Sequence, residues 1–300
     1  MKLTILSSNT QTSISIYDRA FNYGDGFFAT MRSTNQSIQL LDLHIQRLKS
    51  DASRLGFSID NWDVLVDQLE AEASLCSSDA VIKVLISRGE GGRGYSQLTA
   101  QSPIALITTS PLPCNPSSFR VSVAQGFLAE QPLLAGIKHL NRLEQILFKR
   151  QAEAFGVDDV VCLDIHHHLV ETSSANLFWY KDGKWFTPEL SRCGVNGVFR
   201  QFLLAMFAQH DIECVVGDFS IHEILAADSV FICNAVRGVI PVNEMLLPMN
   251  RKKYLTVTPQ ALCDESAIRF TNEQCPAIQS LITSQLQRVE PAICVLFNEY

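Results

Sequence analysis

The chain has 300 residues, of which 47% are hydrophobic and 18% are charged, and its formal net charge is −7. This length and composition predict a globular protein with two domains of ordinary size. The acidic balance and the lack of Lys/Arg-rich runs argue against nucleic acid or an anionic membrane as partners and favour small molecules. The nine cysteines lack a CxxC spacing, and the N-terminus does not resemble a signal peptide. We therefore expect a cytoplasmic protein without a disulfide framework.

The first half of the chain is predicted to contain hairpins, two helices and two further strands. The hairpin strands are expected at ISIYD, FFATMR and SIQLL. Apolar residues recur at helical spacing over 42–55, and Gly56 predicts the end of that helix. A second helix over 62–75 leads into the predicted strands AVIKVLISRG and PIALITTS.

The second half is predicted to open with a strand and to continue with a helix and a meander. Three prolines and two serines in PLPCNPSS interrupt the periodic pattern and predict a boundary between domains 1–112 and 118–300. The strand FRVSVAQ, a helix over 141–155 and a meander of DVVCLDI, LVET, NLFWY and WFTP follow. The predicted fold class is α/β, with mixed α+β elements in two domains. In the tail 250–300, AIQSLITSQLQRV predicts a helix that packs on the body.

Lys138 lies in LLAGIKHLNRLEQ, after an apolar segment and before a helical pattern. The preceding residues favour burial, so the lysine is either a snorkelling surface residue, a residue that merely precedes the helix, or an amine held in a pocket for covalent chemistry. The segment alone leaves these three interpretations open.

Glu171 stands at the end of the apolar strand LVET. A carboxylate among buried neighbours needs a cationic or hydrogen-bonding partner, because desolvation would otherwise protonate it. Strand alternation that points the side chain at water is the alternative.

Two further patterns could bind an anion. In CGVNGVFRQF a glycine-rich turn precedes a helix, so the amides of Val198 and Phe199 can point at one anion. In LHIQRLKS, His44 and Arg47 are three residues apart on one helix face, where the arginine can clamp a phosphate. An exposed basic helix face is the alternative for Arg47. An amine, an acid and a phosphate-binding set are together what a pyridoxal phosphate site requires.

Six segments resemble, in order and spacing, the fold-type IV pyridoxal phosphate enzymes. This family includes branched-chain aminotransferases, D-amino acid aminotransferases and 4-amino-4-deoxychorismate lyases. The segments run from about residue 14 to residue 243: YDRAFNYGDGFFATMR, LLDLHIQRL, GIKHLNRLEQ, VETSSANLFW, GVNGVFRQ and ADSVFICNAVRGVIPV. Within the family, GIKHLNRLEQ and ISRGEGGRGYS look most like the lyases that make 4-aminobenzoate for folate.

The resemblance implies a two-domain pyridoxal phosphate enzyme that works as a homodimer, with its active site near the subunit and domain interfaces. It implies that Lys138 carries the cofactor as a Schiff base and that Glu171 pairs with the pyridine nitrogen. It also implies a phosphate site made from Arg47, the amides of Val198 and Phe199, and the turn of Asn234 and Ala235. The aminotransferases carry Gly-Thr or Ser-Thr at that turn, so a threonine hydroxyl contact is absent here.

Arg88 and Arg93, in the glycine-rich loop ISRGEGGRGYS, are the candidates for binding substrate carboxylates. An aminotransferase of the same fold is the alternative function, and it would share the cofactor residues. A remote alternative is a non-catalytic metal-binding protein built on His166, His167 and His168, although consecutive side chains in a turn rarely converge on one metal. No metal site is predicted.

Overall fold

The computed structural model describes residues 1, 3–7, 13–92, 94–98, 100, 102–116, 118–247 and 267–287. The chain forms two compact units. The first comprises Met1–Pro113 together with Ile137–Asn141, and the second comprises Cys114–Gly136 together with Arg142–Tyr300. The predicted domain boundary puts Lys138 in the second domain, whereas the segment Ile137–Asn141 that contains it groups with the first unit.

The first unit is a five-stranded sheet with helices packed on it. The sheet has the order β1-β5-β4-β2-β3. Its strands are β1 (Thr4–Ser7), β2 (Gly26–Thr34), β3 (Ser37–Ile38), β4 (Ala80–Ser87) and β5 (Ile104–Pro111), and the helices are α1 (Arg19–Tyr23), α2 (Leu41–Arg54) and α3 (Trp62–Ser74). Leu48 of α2, Leu65 of α3 and Ile82 of β4 are fully buried in one core. Burial of these apolar side chains is the main force that holds the helices on the sheet.

Most elements of the first unit match the sequence predictions. Helix α2 ends next to Gly56, which has a positive φ of 69°, as the glycine stop predicted. The strand predicted at ISIYD is wrong. Residues 14–17 are irregular there, and Asp18 caps the short helix α1 by accepting a hydrogen bond from the Ala20 amide. The N-cap by Asp18 therefore determines the local structure here, in spite of the alternating hydrophobic pattern in the sequence.

The second unit contains two five-stranded sheets. One has the order β15-β14-β6-β7-β8, and the other has the order β11-β10-β9-β12-β13. The strands are β6 (Arg120–Leu128), β7 (Asp159–Asp164), β8 (Leu169–Thr172), β9 (Asn176–Lys181), β10 (Lys184–Pro188), β11 (Cys214–Gly217), β12 (Ser229–Asn234), β13 (Gly238–Pro241), β14 (Glu244–Leu246) and β15 (Ala267–Arg269); the helices are α4 (Leu143–Phe155), α5 (Val198–Gln209), α6 (Ile221–Leu225) and α7 (Cys275–Gln287).

The predicted meander is two hairpins that belong to different sheets. β7 pairs antiparallel with β8, and β9 pairs antiparallel with β10. The three residues 173–175 between β8 and β9 carry the chain from one sheet to the other. Periodicity predicts each strand but not which sheet it joins, since the pairing depends on distant partners such as β12.

The predicted C-terminal helix is present as α7, and Ile278 and Ile282 are buried as expected. Residues 250–266 and 288–300 of the tail, which include Arg288 and Val289, lie outside the described residues. The seven cysteines in the described part of the chain are all unpaired. None of the described helices is both long and apolar enough to span a membrane.

Candidate active site

Lys138 lies on a short extended segment that pairs with the start of β2. The Lys138 carbonyl accepts a hydrogen bond from the Phe28 amide at 3.0 Å, and the Leu140 amide donates to the Gly26 carbonyl at 3.0 Å. These bonds fix the backbone on either side of the lysine. Lys138 is half-buried, and its Nζ lies 4.8 Å from the centre of the Phe28 ring.

A second lysine faces the same aromatic ring. Nζ of Lys83, on β4, lies 4.9 Å from the centre of the Phe28 ring. A cation over an aromatic face is attracted by the ring quadrupole. The amines of Lys138 and Lys83 thus both contact the Phe28 ring, and of these two residues Lys83 is the exposed one.

Helix α2 contributes a buried, charged face to the same unit. His44, Arg47 and Asp51 are 0%, 8% and 3% exposed, so the interpretation of Arg47 as part of an exposed basic face is wrong. Arg47 Nε lies 4.0 Å from Asp51 Oδ2, and a terminal guanidinium nitrogen is 3.5 Å from the Phe28 carbonyl. Arg47 Nε makes no hydrogen bond with the described residues. Buried donors of this kind need an acceptor.

Burial shifts the ionisation of this face towards neutral forms. Desolvation lowers the pKa of His44 well below its usual range, and the charges of Arg47 and Lys138 lower it further, which keeps the imidazole neutral. Desolvation also lowers the pKa of Arg47. It raises the pKa of Asp51 to about 6, although Arg47 and the Lys138 amide act in the opposite direction.

In the second unit, Glu171 is held by a turn that approaches β8. The carboxylate is 4% exposed and accepts a hydrogen bond from the Val195 amide at 3.0 Å. Gly194, with φ +83°, makes this approach possible, because a Cβ there would lie 2.7 Å from Val170 Cγ1. The solvent-facing alternative for Glu171 is therefore wrong.

The same turn leads into helix α5 and is shaped by two buried side chains. Asn176 donates to the Val195 carbonyl at 2.8 Å and accepts from the Gly197 amide at 3.1 Å. Arg200 donates to Asn196 Oδ1 at 3.0 Å and to the Pro188 carbonyl at 2.9 Å. The result is a rigid start to α5.

The amides of Val198 and Phe199 belong to the first turn of α5, where backbone N–H groups have no acceptor within the helix. Such amides and the positive end of the helix dipole favour an anion. Both side chains are buried. The structure thus puts Glu171 and the start of α5 on either side of one short turn.

Asn234 organises the turn after β12 through its own side chain. Asn234 Oδ1 accepts hydrogen bonds from the amides of Val236 at 3.1 Å and Arg237 at 2.9 Å, and its Nδ2 donates to the Ser174 carbonyl at 3.4 Å. Ala235, which is half-buried, has only its main chain to offer a ligand.

Arg88 has a different environment from the one predicted. Its Nε donates to both carboxylate oxygens of Asp25, at 3.0 and 2.9 Å, and its terminal nitrogens donate to the carbonyls of Gly56 and Leu55. The guanidinium also lies 3.8 Å from the centre of the Phe57 ring. These contacts use Arg88 to join β4 to the end of α2, and its binding of a substrate carboxylate stays a prediction. Arg93 lies outside the described residues.

The three consecutive histidines point at different partners. His166 Nε2 lies 3.6 Å from Glu130, His168 Nδ1 lies 3.1 Å from Asp164, and the His167 ring packs edge-on against Phe127. No group of three or more potential metal ligands occurs within the described ranges. The metal-binding alternative thus gains no support from this turn.

Sequence reasoning missed four residues of these two regions: Phe28, Asp51, Asn176 and Arg200. Phe28 and Asp51 act through contacts with Lys138, which is distant in sequence. The role of Asn176 could have been predicted from the sequence, because an amide side chain in the buried strand β9 requires polar partners.

Comparison with known proteins identifies the family. Residues 26–245 match the model of amino-transferase class IV. An aminodeoxychorismate lyase of Vibrio harveyi is 36% identical, over 80% of this chain and 90% of the relative. A D-alanine aminotransferase of Listeria monocytogenes is 25% identical over 80% of this chain and 85% of the relative.

Among solved structures, the 4-amino-4-deoxychorismate lyase of Pseudomonas aeruginosa is similar with a TM-score of 0.80 and 32% identity, covering 92% of this chain and 97% of that one. The family model covers most of this chain. The lyase of Vibrio harveyi is similar enough to this chain, at 36% identity over 80% of its length, to establish a common family. This chain therefore belongs to the amino-transferase class IV family.

Proposed function

We propose that this chain is a pyridoxal phosphate-dependent lyase that converts 4-amino-4-deoxychorismate to 4-aminobenzoate and pyruvate. The observation that carries the proposal is the 36% identity to a lyase, against 25% to an aminotransferase over the same share of the chain. The solved lyase structure at 32% identity points the same way. The aromatic product would supply folate synthesis.

The residues present fit pyridoxal phosphate. Arg47 has a buried Nε without a hydrogen-bond acceptor among the described residues, and the first amides of α5 favour an anion. Glu171 is a buried carboxylate that already accepts one hydrogen bond. Together with the amine of Lys138, we assign these groups to phosphate binding, to pairing with the pyridine nitrogen and to covalent attachment.

When bound, pyridoxal phosphate supplies an electron sink that withdraws electrons from the carbon that carries the substrate amine. We assign the phosphate to Arg47, to the amides of Val198 and Phe199, and to the turn of Asn234 and Ala235. Glu171 would pair with the pyridine nitrogen and keep it protonated, so that the sink stays effective.

Lys138 would hold the cofactor through Nζ in the resting enzyme, and its amine would be the base that acts on the substrate. Nζ then removes the proton from the ring carbon that bears the nitrogen. The bond between the ring and the enolpyruvyl oxygen breaks, and Nζ returns the proton to the departing fragment, which leaves as pyruvate. The two products together contain every atom of the substrate, so no second substrate is consumed.

We also propose that the chain works as a homodimer in the cytoplasm. Helix α4 exposes an apolar stripe of Leu143, Ile146 and Leu147, which are 68%, 61% and 48% exposed. Residues spaced by three and four lie on one helix face, and an exposed apolar stripe of this kind favours association with another protein surface. The acidic composition and the unpaired cysteines support a cytoplasmic protein.

The products distinguish the lyase from an aminotransferase. Purified enzyme is supplied with 4-amino-4-deoxychorismate and no keto acid, and both 4-aminobenzoate and pyruvate are measured. We expect equal amounts of the two over many turnovers. Product that appears only when an amino acid and keto acid pair is added would instead establish the aminotransferase function.

A further inference from the structure

One carboxylate oxygen in the first unit lies close to both the lysine and the arginine of the proposed site. Asp51 Oδ2 accepts a hydrogen bond from the Lys138 amide at 3.4 Å and lies 4.0 Å from Arg47 Nε. Asp51 is 3% exposed. A displacement of this oxygen would therefore alter the surroundings of both cations.

The charges that face Asp51 come from two elements. Arg47 and Arg54 lie on α2 with it, and Lys138 lies on the segment that pairs with β2. His44, one further turn towards the start of α2, is kept neutral by burial and by the charges of Arg47 and Lys138. An ionised Asp51 thus faces the buried Arg47, the half-buried Lys138 and the exposed Arg54, and its interactions with the first two are strengthened by the low water content around them.

We propose that Asp51 is a positioning residue for Lys138, which fixes the lysine backbone through its carboxylate and favours the protonated state of the lysine nitrogen. This inference rests on the proposed function, because it concerns the residue that carries the cofactor. It adds a determinant of how readily Lys138 gives and takes its proton.

Both parts of the role have a measurable consequence. Loss of the carboxylate removes the acceptor of the Lys138 amide, so this amide should exchange faster with solvent. Loss of the negative charge alone should lower the pH at which the Lys138–cofactor linkage loses its proton, because the positive form is no longer stabilised.

The charge is tested by titrating the visible absorbance of the holoenzyme. Asp51→Asn keeps an oxygen acceptor but removes the charge, and we expect its spectral midpoint to fall by about one pH unit. Asp42→Asn makes the same charge change at an exposed position of α2 and should leave the midpoint unchanged. Equal midpoints in Asp51→Asn and the wild type would overturn the charge role.

The position is tested by amide hydrogen exchange in the full chain without cofactor. In Asp51→Ala, we expect the Lys138 amide to exchange about fivefold faster, as for the loss of one hydrogen bond. The Leu140 amide, which donates to a main-chain carbonyl, is the internal control and should not change. An unchanged Lys138 rate would overturn the positioning role.

The two experiments separate this inference from the proposed function. A wild-type protein that gains no visible absorbance with pyridoxal phosphate would refute the proposed function, and the amide rates would still decide whether Asp51 holds Lys138. A wild type that binds the cofactor, with Asp51→Asn indistinguishable from it, would refute the inference alone.

Discussion

Replacing Asp51 by asparagine should make the stability of the first unit less dependent on pH. The pKa of Asp51 is raised from 3.8 to about 6, and the largest cause is desolvation. The difference, 6 − 3.8, is about 2 pH units, and each unit corresponds to about 1.4 kcal/mol. The ionised carboxylate therefore costs the folded chain on the order of 3 kcal/mol at pH 7.

The sign follows from the proton balance. Between about pH 4 and pH 6, the folded chain keeps a proton on Asp51 that the unfolded chain has released, so stability falls as the pH rises through this range. Above it the carboxylate is ionised in both states and the cost is constant. The side chain at this position cannot ionise in Asp51→Asn, so the variant does not lose stability in this way as the pH rises. Its stability relative to the wild type should rise by about 2 kcal/mol between pH 4 and pH 7.

Native-state hydrogen exchange of the cofactor-free chain measures this difference in the first unit itself. The amides of the buried residues Met31 and Ile82 report the unfolding of the first unit. A global probe would instead average the unfolding of both compact units. Asp42→Asn serves as the control for a charge change on the same helix. A difference between Asp51→Asn and the wild type that stays flat from pH 4 to pH 7 would refute the reasoning.

Three further predictions concern the proposed chemistry and assembly. Glu171→Gln keeps an acceptor for the Val195 amide but removes the charge. Cofactor binding should therefore survive while kcat falls about 100-fold, which corresponds to roughly 3 kcal/mol. Near-normal turnover of the variant would rule out the pairing of Glu171 with the cofactor. Borohydride reduction should fix the cofactor on the peptide that contains Lys138, and recovery on Lys83 would reassign the amine. Ile146→Glu should shift light scattering of the purified protein from dimer towards monomer, and an unchanged mass would exclude the α4 stripe from the interface.

The elements of the fold were largely predictable because hydrophobic periodicity and glycine stops are local signals. Helices α2 and α3 and strands β4 and β5 lie within a few residues of their predicted bounds. The change of sheet between β8 and β9 was not predictable, since the pairing of β9 with β12 joins residues some 50 positions apart. The short helix α1 depends on the cap by Asp18, which outweighs the alternation seen in the sequence.

The site was predictable where a residue type is costly to bury without a purpose. Glu171 in an apolar strand was identified in this way, whereas Arg47 was proposed from its place on a helix face and from the family resemblance; both are buried. Asp51 was not identified, because its relation to Lys138 spans 87 positions and α2 alone predicts only an amphipathic helix. The contacts of Arg88 were not predictable from the glycines beside it, because its donors meet the carboxylate of Asp25 and two carbonyls that are distant in sequence.

The fate of the substrate nitrogen tests the central claim most directly. In a lyase the amine leaves with the aromatic product, whereas in transamination it stays on the cofactor until a keto acid removes it. Substrate labelled with nitrogen-15 at the 4-amino group, supplied without a keto acid, should give labelled 4-aminobenzoate in large excess over enzyme and no label on the cofactor. Label retained on the cofactor, with product limited to one equivalent per site, would contradict the lyase function.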